Sequence, residues 1–418
     1  MKKFVALLLA VIMVLSFCAC GKKNEPYTLD VIIAQYGPNT QEWFLGKGMD
    51  GSNFVEKFEA ANPGIKLNLE VISWNDLKTV ADTRIASGQA PDILNLDTFA
   101  DYANEGLLMP VSEYCPEDLY KDFFPSFIEQ SVIDGVCYAV PDLASARAMF
   151  YNADLLEQAG VEVPKTWAEL EDASQKIIDT FEGEVYPWGV DMTTDEGQAC
   201  FAYYAWGNNG GFVDENGEWA VNSDANVEAA QFILGMVADG FTNPNPATQT
   251  RYDLQDMFAA GKLAMLIAPN QLPTYVADKG GSINMATADL PANDGCTSSS
   301  VGVMDRIMVF KDTADKNQDT RKAAVAAFLK FFYDPANYVG WVSMEGFLPA
   351  VDSAVGELVK ADPSFEAWLG VLGNAKFYST AKDGWDTVKQ GVIAAEQAAL
   401  EGADIKAELD ALQAQLVG

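Results

Sequence analysis

The sequence has 418 residues, of which 49% are hydrophobic, and it carries a formal net charge of −33 without a single histidine. The electric field of so negative a protein repels nucleic acid and anionic lipid surfaces, which argues against both as partners. The lack of histidine excludes Ser-His-Asp and Cys-His catalysis and removes the commonest zinc ligand.

Residues 1–19 are predicted to form a secretory signal peptide. Two lysines precede an apolar run over residues 4–17 that is short for a membrane span. The following Cys-Ala-Cys-Gly resembles the cleavage region of a bacterial lipoprotein signal, which implies cleavage before Cys20 and a lipid on its sulfur. Cys18 is a lower-ranked alternative because Phe17 precedes it. Stable anchoring to a bilayer takes two or more acyl chains.

The mature chain of roughly 395 residues exceeds the size at which one hydrophobic core keeps growing, so we expect two domains. Without the two signal-peptide lysines it has 25 basic and 60 acidic residues, a net charge of −35. Its cysteines, at 115, 137, 200 and 296, lack metal-site spacing and are interpreted as small buried apolar residues. Disulfide pairing among them stays open.

The first third of the mature chain has the pattern β-α-β-α-β. Strands are predicted at 29–35, 65–71 and 93–96, with one helix capped by Ser52 and another capped by Asn75 between them. Such alternation implies a mainly parallel sheet, whose ligands lie beyond the carboxyl ends of the strands. Those ends are occupied by Tyr36, Trp74 and Asp97.

The segment 135–152 is interpreted as a crossing between two domains. A strand over 136–140 is expected to end at Pro141, because proline has no amide to donate to a central strand. Asp142, Ser145 and Arg147 would then face the gap. A hairpin or edge strand within one domain is the competing interpretation of the local sequence.

The rest of the chain continues the alternation of helices and strands. Thr166 and Glu169 form a capping-box pattern that opens a helix to about Asp179. The later predicted elements are strands at 186–190, 263–267, 283–289 and 301–310, a hairpin at 213–221, and helices at 198–206, 222–239, 251–260, 321–333, 365–372 and 385–416.

Several stretches carry a family resemblance. FVEKFEAANPGIKLNLEV, TRIASGQAPDILNLD and YANEGLLMPVSEY are similar to the first lobe of the extracellular solute-binding proteins of the carbohydrate type (family 1), lipoprotein components of ABC importers. GVCYAVPDLASARAMFYNADLLEQAGVEVPKTWAELEDASQKI resembles that family's lobe crossing and the segment beyond it. MFAAGKLAMLIAP and MEGFLPAV resemble later motifs, so the likeness covers nearly all of the mature chain in the same order.

The resemblance implies an α/β, periplasmic-binding-protein-like fold, with two α/β lobes joined by a hinge and the ligand cleft between them. It places the signal peptide at 1–19, a lipidated tether at 20–27, the first lobe at 28–140 and 288–333, and the second at 141–287 and 334–418. With it, the hinge interpretation of 135–152 is preferred, Pro141 closes the first lobe's strand, and Asp142 to Arg147 lie at the floor of the cleft.

The implied function is capture of a sugar or oligosaccharide by lobe closure and delivery to ABC transporter permease subunits. The protein is expected to be a monomer without cofactor or metal, held by its lipid anchor at the outer face of the cytoplasmic membrane. The alternative is a polyamine or other cationic solute, held by carboxylates and cation–π contacts. A surface glycoside hydrolase, which needs only two carboxylates, is less favoured, since no nucleophile elbow or phosphate loop is present.

A sugar site needs aromatic platforms and paired hydrogen-bonding groups. The strand ends offer Tyr36, Trp74 and Asp97, and the crossing offers Asp142 and Arg147, for which a buried ion pair is the competing explanation. The remaining candidates, from the second lobe, are Trp206, Asn208, Asn270, Gln271 and Trp385. The family resemblance favours Trp385 as an aromatic platform, whereas the polar Asn270 and Gln271 stand where oligosaccharide binders commonly have tryptophan.

Overall fold

The structure, a computed structural model, describes residues 26–46, 53–312 and 317–417; the predicted signal peptide, Cys20 and Ser52 lie outside these ranges. Its strands are β1 Tyr27–Gln35, β2 Ile65–Ser73, β3 Ile93–Leu96, β4 Val132–Ile133, β5 Val136–Cys137, β6 Ala139–Asn152, β7 Tyr186–Gly189, β8 Leu263–Pro269, β9 Met285–Ala288, β10 Val301–Val309, β11 Leu348–Pro349 and β12 Lys376–Phe377.

Helices connect these strands. In chain order they are α1 Thr40–Leu45, α2 Phe54–Ala61, α3 Trp74–Ala86, α4 Ala100–Asn104, α5 Glu117–Tyr120, α6 Pro125–Glu129, α7 Ala153–Ala159, α8 Trp167–Phe181, α9 Gly197–Trp206, α10 Asp224–Ala238, α11 Arg251–Ala259, α12 Leu272–Asp278, α13 Gln318–Phe332, α14 Pro335–Glu345, α15 Asp352–Ala361, α16 Ser364–Leu372, α17 Trp385–Leu400 and α18 Ile405–Val417. Within the described ranges, none is long and apolar enough to cross a bilayer.

The first lobe is built on the strand order β2-β1-β3-β10-β6. Strands β2 and β3 run parallel to β1, and β10 runs antiparallel to both β3 and β6. The carboxyl ends of β1, β2 and β3 therefore meet at one edge of the sheet, as the β-α-β-α-β pattern predicts. Strand β1 is buried along most of its length because helices cover both faces of the sheet.

Strand β6 belongs to both lobes. Its first part pairs with β10, and its second part, from Arg147 onward, pairs with β8 and β9. The prediction that a strand ends at Pro141 is wrong, because β6 runs through this residue. The register of β10 shifts between Met304 and Arg306, and Arg306 lies opposite Pro141. An irregular ladder of this kind accommodates a residue that has no amide to donate.

The second lobe is built on β6, β8, β7 and β9. Strand β7 runs parallel to β8, and helices α8 to α11 pack around them with α17 and α18. Helix α8 begins with the predicted capping box: the Glu169 amide donates to Thr166 Oγ1 at 3.2 Å, and the Thr166 amide donates to the Glu169 carboxylate at 3.3 Å. The structure thus has the two α/β lobes that the sequence predicts.

The carboxyl-terminal part of the chain is divided between the lobes differently from the sequence prediction. Helix α14 contributes Tyr338 and Trp341, α15 contributes Leu358, and α16 contributes Phe365 to the same buried core as β1 and β3. Trp341 is fully buried, and its ring centroid lies 5.0 Å from that of Phe44 in α1. Assigning residues 334–372 to the second lobe is therefore wrong, since their aromatic side chains fill the first core; α17 and α18 pack with the second.

Two helix starts and one hairpin also differ from expectation. Asn53 caps α2, where its side chain accepts a hydrogen bond of 2.8 Å from the Glu56 amide. Helix α3 begins at Trp74 rather than after Asn75. The predicted hairpin at 213–221 is reduced to a single bridge between Val213 and Trp219. The four described cysteines are all free thiols.

Candidate functional site

A cavity lies between the two lobes, at the carboxyl edge of the first sheet. Its first wall carries Tyr36, Trp74 and Asp97, which directly follow β1, β2 and β3. Its lining consists of Tyr36, Trp74, Asp97, Ser145, Arg147, Asp195, Glu196, Gln198, Arg251, Val303, Asp305, Phe347, Tyr378 and Lys389. Four of the ten predicted ligand-binding residues are thereby brought together: Tyr36, Trp74, Asp97 and Arg147.

Contacts across the cavity hold the lobes together in a closed arrangement. Lys389 of α17 forms an ion pair of 2.7 Å with Asp97 at the end of β3. The Tyr252 hydroxyl of α11 donates to the backbone oxygens of Gln35 and Tyr36 at 3.2 and 3.0 Å. Further contacts between the lobes join Lys78 to Asp386, Asn75 to Thr194, and Asn39 to Asp278.

Glu196 is the centre of a buried charge cluster. Its Oε1 atom accepts from Arg147 Nη2 and from Arg251 Nη1, each at 2.7 Å, and its carboxylate also receives the Tyr203 hydroxyl at 3.4 Å. Burial lowers the pKa of Arg147, but the charge of Glu196 together with Tyr203 and Tyr378 outweighs burial, so that the pKa is raised overall. Both guanidinium groups are thus held charged and fixed in direction where they border the cavity.

Several polar atoms of the lining have no hydrogen-bond partner among the described residues. They are Asp97 Oδ1, Asp195 Oδ2, Gln198 Oε1, Arg251 Nε and the Tyr378 hydroxyl. A buried polar atom left unpaired costs about 1–3 kcal/mol. These atoms border one small cavity, so a ligand with several hydroxyl groups could satisfy them together.

The aromatic lining of the second lobe is Tyr378 rather than either predicted tryptophan. Trp206 and Trp385 stack behind the Tyr378 ring, with centroid distances of 6.0 and 5.3 Å. Trp385 is 1% exposed and belongs to the core of the second lobe, bordering a separate crevice beside Phe99. The two tryptophans therefore support Tyr378 and do not line the cavity.

Asp142 is fully buried beneath the cavity and does not line it. It accepts from Asn95 Nδ2 at 3.0 Å and from the Tyr36 hydroxyl at 3.4 Å. Burial raises its pKa well above the usual range, and the charge of Asp305 adds to this effect. The predicted alternative of an Asp142–Arg147 ion pair is wrong, since Arg147 binds Glu196 instead.

The three predicted amide side chains of the second lobe make structural contacts. Asn208 Nδ2 donates to the Ala225 carbonyl at 2.9 Å, and Gln271 Nε2 donates to Gln255 at 3.3 Å. Asn270 donates to the Gly346 carbonyl at 2.7 Å. Asn270 also borders a second, larger groove that shares Arg147 with the cavity. None of the three lines the cavity between the lobes.

The sequence reasoning missed most of the second lobe's contribution. Asp195 and Glu196 end the loop between β7 and α9, and Gln198 lies in the first turn of α9, so the strand-end rule that selects Tyr36 does not reach them. Lys389 lies four residues after Trp385 on α17, on the same helix face. Arg251, Asp305 and Tyr378 carry no local signal. Across the described ranges, no group of three or more acidic or cysteine side chains is arranged to hold a metal ion.

Glu345, at the end of α14, is a buried carboxyl group close to the cavity. It accepts from Thr40 Oγ1 at 2.5 Å, and a side-chain carbon added to Gly37 would lie 2.5 Å from its Oε2. Burial raises the pKa of Glu345 to about 7; the Thr40 hydrogen bond opposes this shift and the charge of Asp278 adds to it. The folded chain therefore binds this proton more tightly than the unfolded chain does.

Replacing Glu345 with glutamine should stabilise the protein at alkaline pH. A carboxyl whose pKa rises on folding costs stability that grows from about pH 4 to pH 7 and is constant above. We expect Glu345→Gln to raise the free energy of unfolding by about 1–3 kcal/mol at pH 8 and by much less at pH 4.5, in urea titrations. Glu357→Gln, on the exposed side of α15, is the control; an equal gain at both pH values would contradict the burial of a proton at Glu345.

Comparison with known proteins places the chain in a family. Residues 50–339 match the bacterial extracellular solute-binding protein family. A binding protein of Brucella abortus is 27% identical over 391 residues, covering 93% of this chain and 91% of that protein. The arabinooligosaccharide-binding protein of Bacillus subtilis is 25% identical over 311 residues, covering 70% of this chain and 68% of that protein.

Solved structures share the fold. The maltose-bound MalE3 of T. maritima superimposes with a TM-score of 0.78 at 21% identity, over 93% of this chain and 99% of that chain. A substrate-binding protein of Listeria monocytogenes, in complex with cycloalternan, gives 0.75 at 23% identity, over 94% and 98%. With a family match over more than half of its length, the chain belongs to the bacterial extracellular solute-binding proteins, as the sequence motifs indicate.

Proposed function

We propose that this protein captures a sugar or oligosaccharide between its lobes and delivers it to the permease subunits of an ABC transporter. The observation that carries the proposal is the set of unpartnered polar atoms beside aromatic rings in the cavity. Hydroxyl groups can satisfy those atoms, and the C–H faces of a sugar ring can pack on Trp74 and Tyr378. Two relatives are named as binding arabinooligosaccharides and maltotriose, which agrees with this assignment, and others are named as binding osmoprotective compounds and sn-glycerol-3-phosphate.

The proposed binding residues are the four predicted side chains that line the cavity, together with the second-lobe groups that face them. Tyr36, Trp74, Asp97 and Arg147 belong to the first set. The second set consists of Asp195, Glu196, Gln198, Arg251, Tyr378 and Lys389, and Asp305 of β10 joins the first set. The protein acts by binding and release without catalysis, and its relatives are binding proteins.

Opening and closing of the lobes would work as a hinge about β6 and the neighbouring return to β10. The ion pair between Lys389 and Asp97 and the hydrogen bonds of Tyr252 break when the lobes separate. Ligand hydroxyls that bind Asp97 and Asp195 at once would favour the closed form, because only that form brings both carboxylates to the cavity. The closed monomer then docks on the permease.

Thermal shift measurements with mono- and oligosaccharides, polyamines and amino acids test the proposal. A ligand at 100 times its dissociation constant adds about 2.7 kcal/mol to the free energy of unfolding. We expect shifts from saccharides alone. Shifts from spermidine or putrescine alone would overturn the sugar assignment, and release of reducing ends from a bound oligosaccharide would overturn the assignment as a binding protein.

The proposed lipid anchor has its own test. Cys20→Ser removes the sulfur that would carry the lipid, so the protein should move from the membrane fraction to the medium or periplasm. Cys18→Ser is the matched control and should leave the protein on the membrane. Retention of Cys20→Ser on washed membranes would contradict anchoring at this position.

A further inference from the structure

The charged side chains of the cavity are unequal in number. Four are acidic and three are basic. The acids are Asp97, Asp195, Glu196 and Asp305, and the bases are Arg147, Arg251 and Lys389. The ion pairs among these side chains determine whether the cavity can accept a charged ligand.

Every base is already held by a carboxylate. Lys389 pairs with Asp97 at 2.7 Å, and Arg147 pairs with Glu196 at 2.7 Å. Arg251 pairs with Glu196 at 2.7 Å and with Asp195 at 3.6 Å. An anionic ligand would therefore find no free cation in the lining and would have to displace a buried carboxylate to reach one.

Asp305 is the one acidic residue of the cavity lining that is not in an ion pair with a basic side chain of the lining. It is 7% exposed, and among the residues that the structure describes it has no basic group within ion-pair distance. It stands at the register shift of β10, between Met304 and Arg306. The Arg306 guanidinium is occupied elsewhere: it donates to Ser131 Oγ at 3.0 Å and to the Asp97 carbonyl at 2.8 Å.

The unpartnered atoms point to the same ligand chemistry. Three are oxygen acceptors, on Asp97, Asp195 and Gln198, one is a donor, on Arg251, and the fifth is the Tyr378 hydroxyl, which can donate or accept. Hydroxyl groups donate to carboxylate oxygens, whereas a carboxylate or phosphate can only accept at neutral pH. A polyamine, in turn, needs several free carboxylates, and the cavity has one.

We propose that Asp305 determines the charge selectivity of the cavity, which takes uncharged saccharides and rejects sugar acids and sugar phosphates. This inference rests on the proposed function and adds a residue and a ligand class to it. Burial and the charge of Asp97 raise the pKa of Asp305 to about 7. Above that pH its carboxylate, which lines the cavity, repels a negative substituent, while a neutral hydroxyl can donate to it.

Calorimetric titrations with matched pairs, made at pH 8 where Asp305 is ionised, test the selectivity. Glucose is compared with glucuronate and with glucose 6-phosphate, galactose with galacturonate, and digalactose with digalacturonate. Any longer neutral saccharide that binds is compared with its own uronic acid form. We expect each acid or phosphate to bind at least 10-fold more weakly than its neutral partner. Equal or tighter binding of the acids would overturn the selectivity while leaving saccharide binding intact. Failure of every saccharide would overturn the proposed function and this inference with it.

Variants assign the selectivity to Asp305. Asp305→Asn keeps the size of the side chain and removes its charge, so the ratio of neutral to acidic affinity should fall at least 3-fold. Asp305→Ser is the second variant in case the amide disturbs folding, which circular dichroism and the melting temperature report. Glu215→Gln, on an exposed turn, is the control with the same change in charge. An unchanged ratio in both folded Asp305 variants would overturn the assignment.

Discussion

Glu196→Gln should lower the free energy of unfolding by about 3–5 kcal/mol and abolish the ligand-induced thermal shift. One oxygen of Glu196 receives both Arg147 and Arg251, and the Arg147 side chain is only 3% exposed. Removing the carboxylate charge leaves two buried guanidinium groups facing each other. The remaining acid, Asp195, contacts only Arg251, at 3.6 Å. Urea denaturation followed by tryptophan fluorescence measures the loss.

Matched variants separate the charge cluster from a general effect of losing a carboxylate. Glu171→Gln lies on the exposed face of α8 and should change the free energy of unfolding by less than about 0.5 kcal/mol. The double variant Arg147→Met with Glu196→Gln should lose less than the sum of the single variants, because removal of both partners leaves one buried charge fewer. A loss below about 1 kcal/mol for Glu196→Gln would show that the cluster is not a buried ion pair.

Asp97→Asn should weaken saccharide binding by about 30-fold or more, a loss of at least about 2 kcal/mol. One carboxylate oxygen of Asp97 holds Lys389 of the opposite lobe, and the other is buried without a partner at the cavity. The substitution therefore removes a ligand acceptor and part of the attraction that keeps the lobes closed. Isothermal titration calorimetry with the saccharide that gives the largest thermal shift measures the change.

The dissociation rate provides a second measurement on Asp97→Asn. Because the ion pair joins the lobes in the closed form, we expect the change mainly in the rate of ligand release, measured by stopped-flow tryptophan fluorescence. Asp172→Asn, on the exposed face of α8, is the control and should leave the dissociation constant and the rate constant of ligand release unchanged. Affinity within 3-fold of the parent would remove Asp97 from the binding site.

The sequence predicts the first wall of the cavity because each of its residues has a local signal. Tyr36, Trp74 and Asp97 follow apolar runs of strand length, and parallel pairing brings such positions to one edge whatever the rest of the chain does. The capping box at Thr166 is likewise local. The family resemblance adds the hinge and the two lobes, which the structure confirms, although the boundary at residue 334 moves.

The opposite wall depends on contacts between residues distant in sequence. Arg251 and Glu196 are 55 residues apart, and Lys389 and Asp97 are 292 apart. No periodicity or turn signal links such pairs. The prediction that Trp206 and Trp385 line the cavity is wrong for the same reason. An aromatic side chain at a helix end can face a cavity or a core, and both tryptophans pack in the core of the second lobe.

The position of β10 between β3 and β6 has a consequence for how this chain acquires its structure. The strands β1, β2, β3 and β6 are complete by residue 152, yet the sheet has a gap until residues 301–309 are available. Until then β3 and β6 each keep an open edge, and closing the gap joins segments separated by about 150 residues, which makes it a slow step. Synthesis of the amino-terminal half alone cannot complete the first lobe. The first lobe therefore stays incomplete until most of the chain has been made.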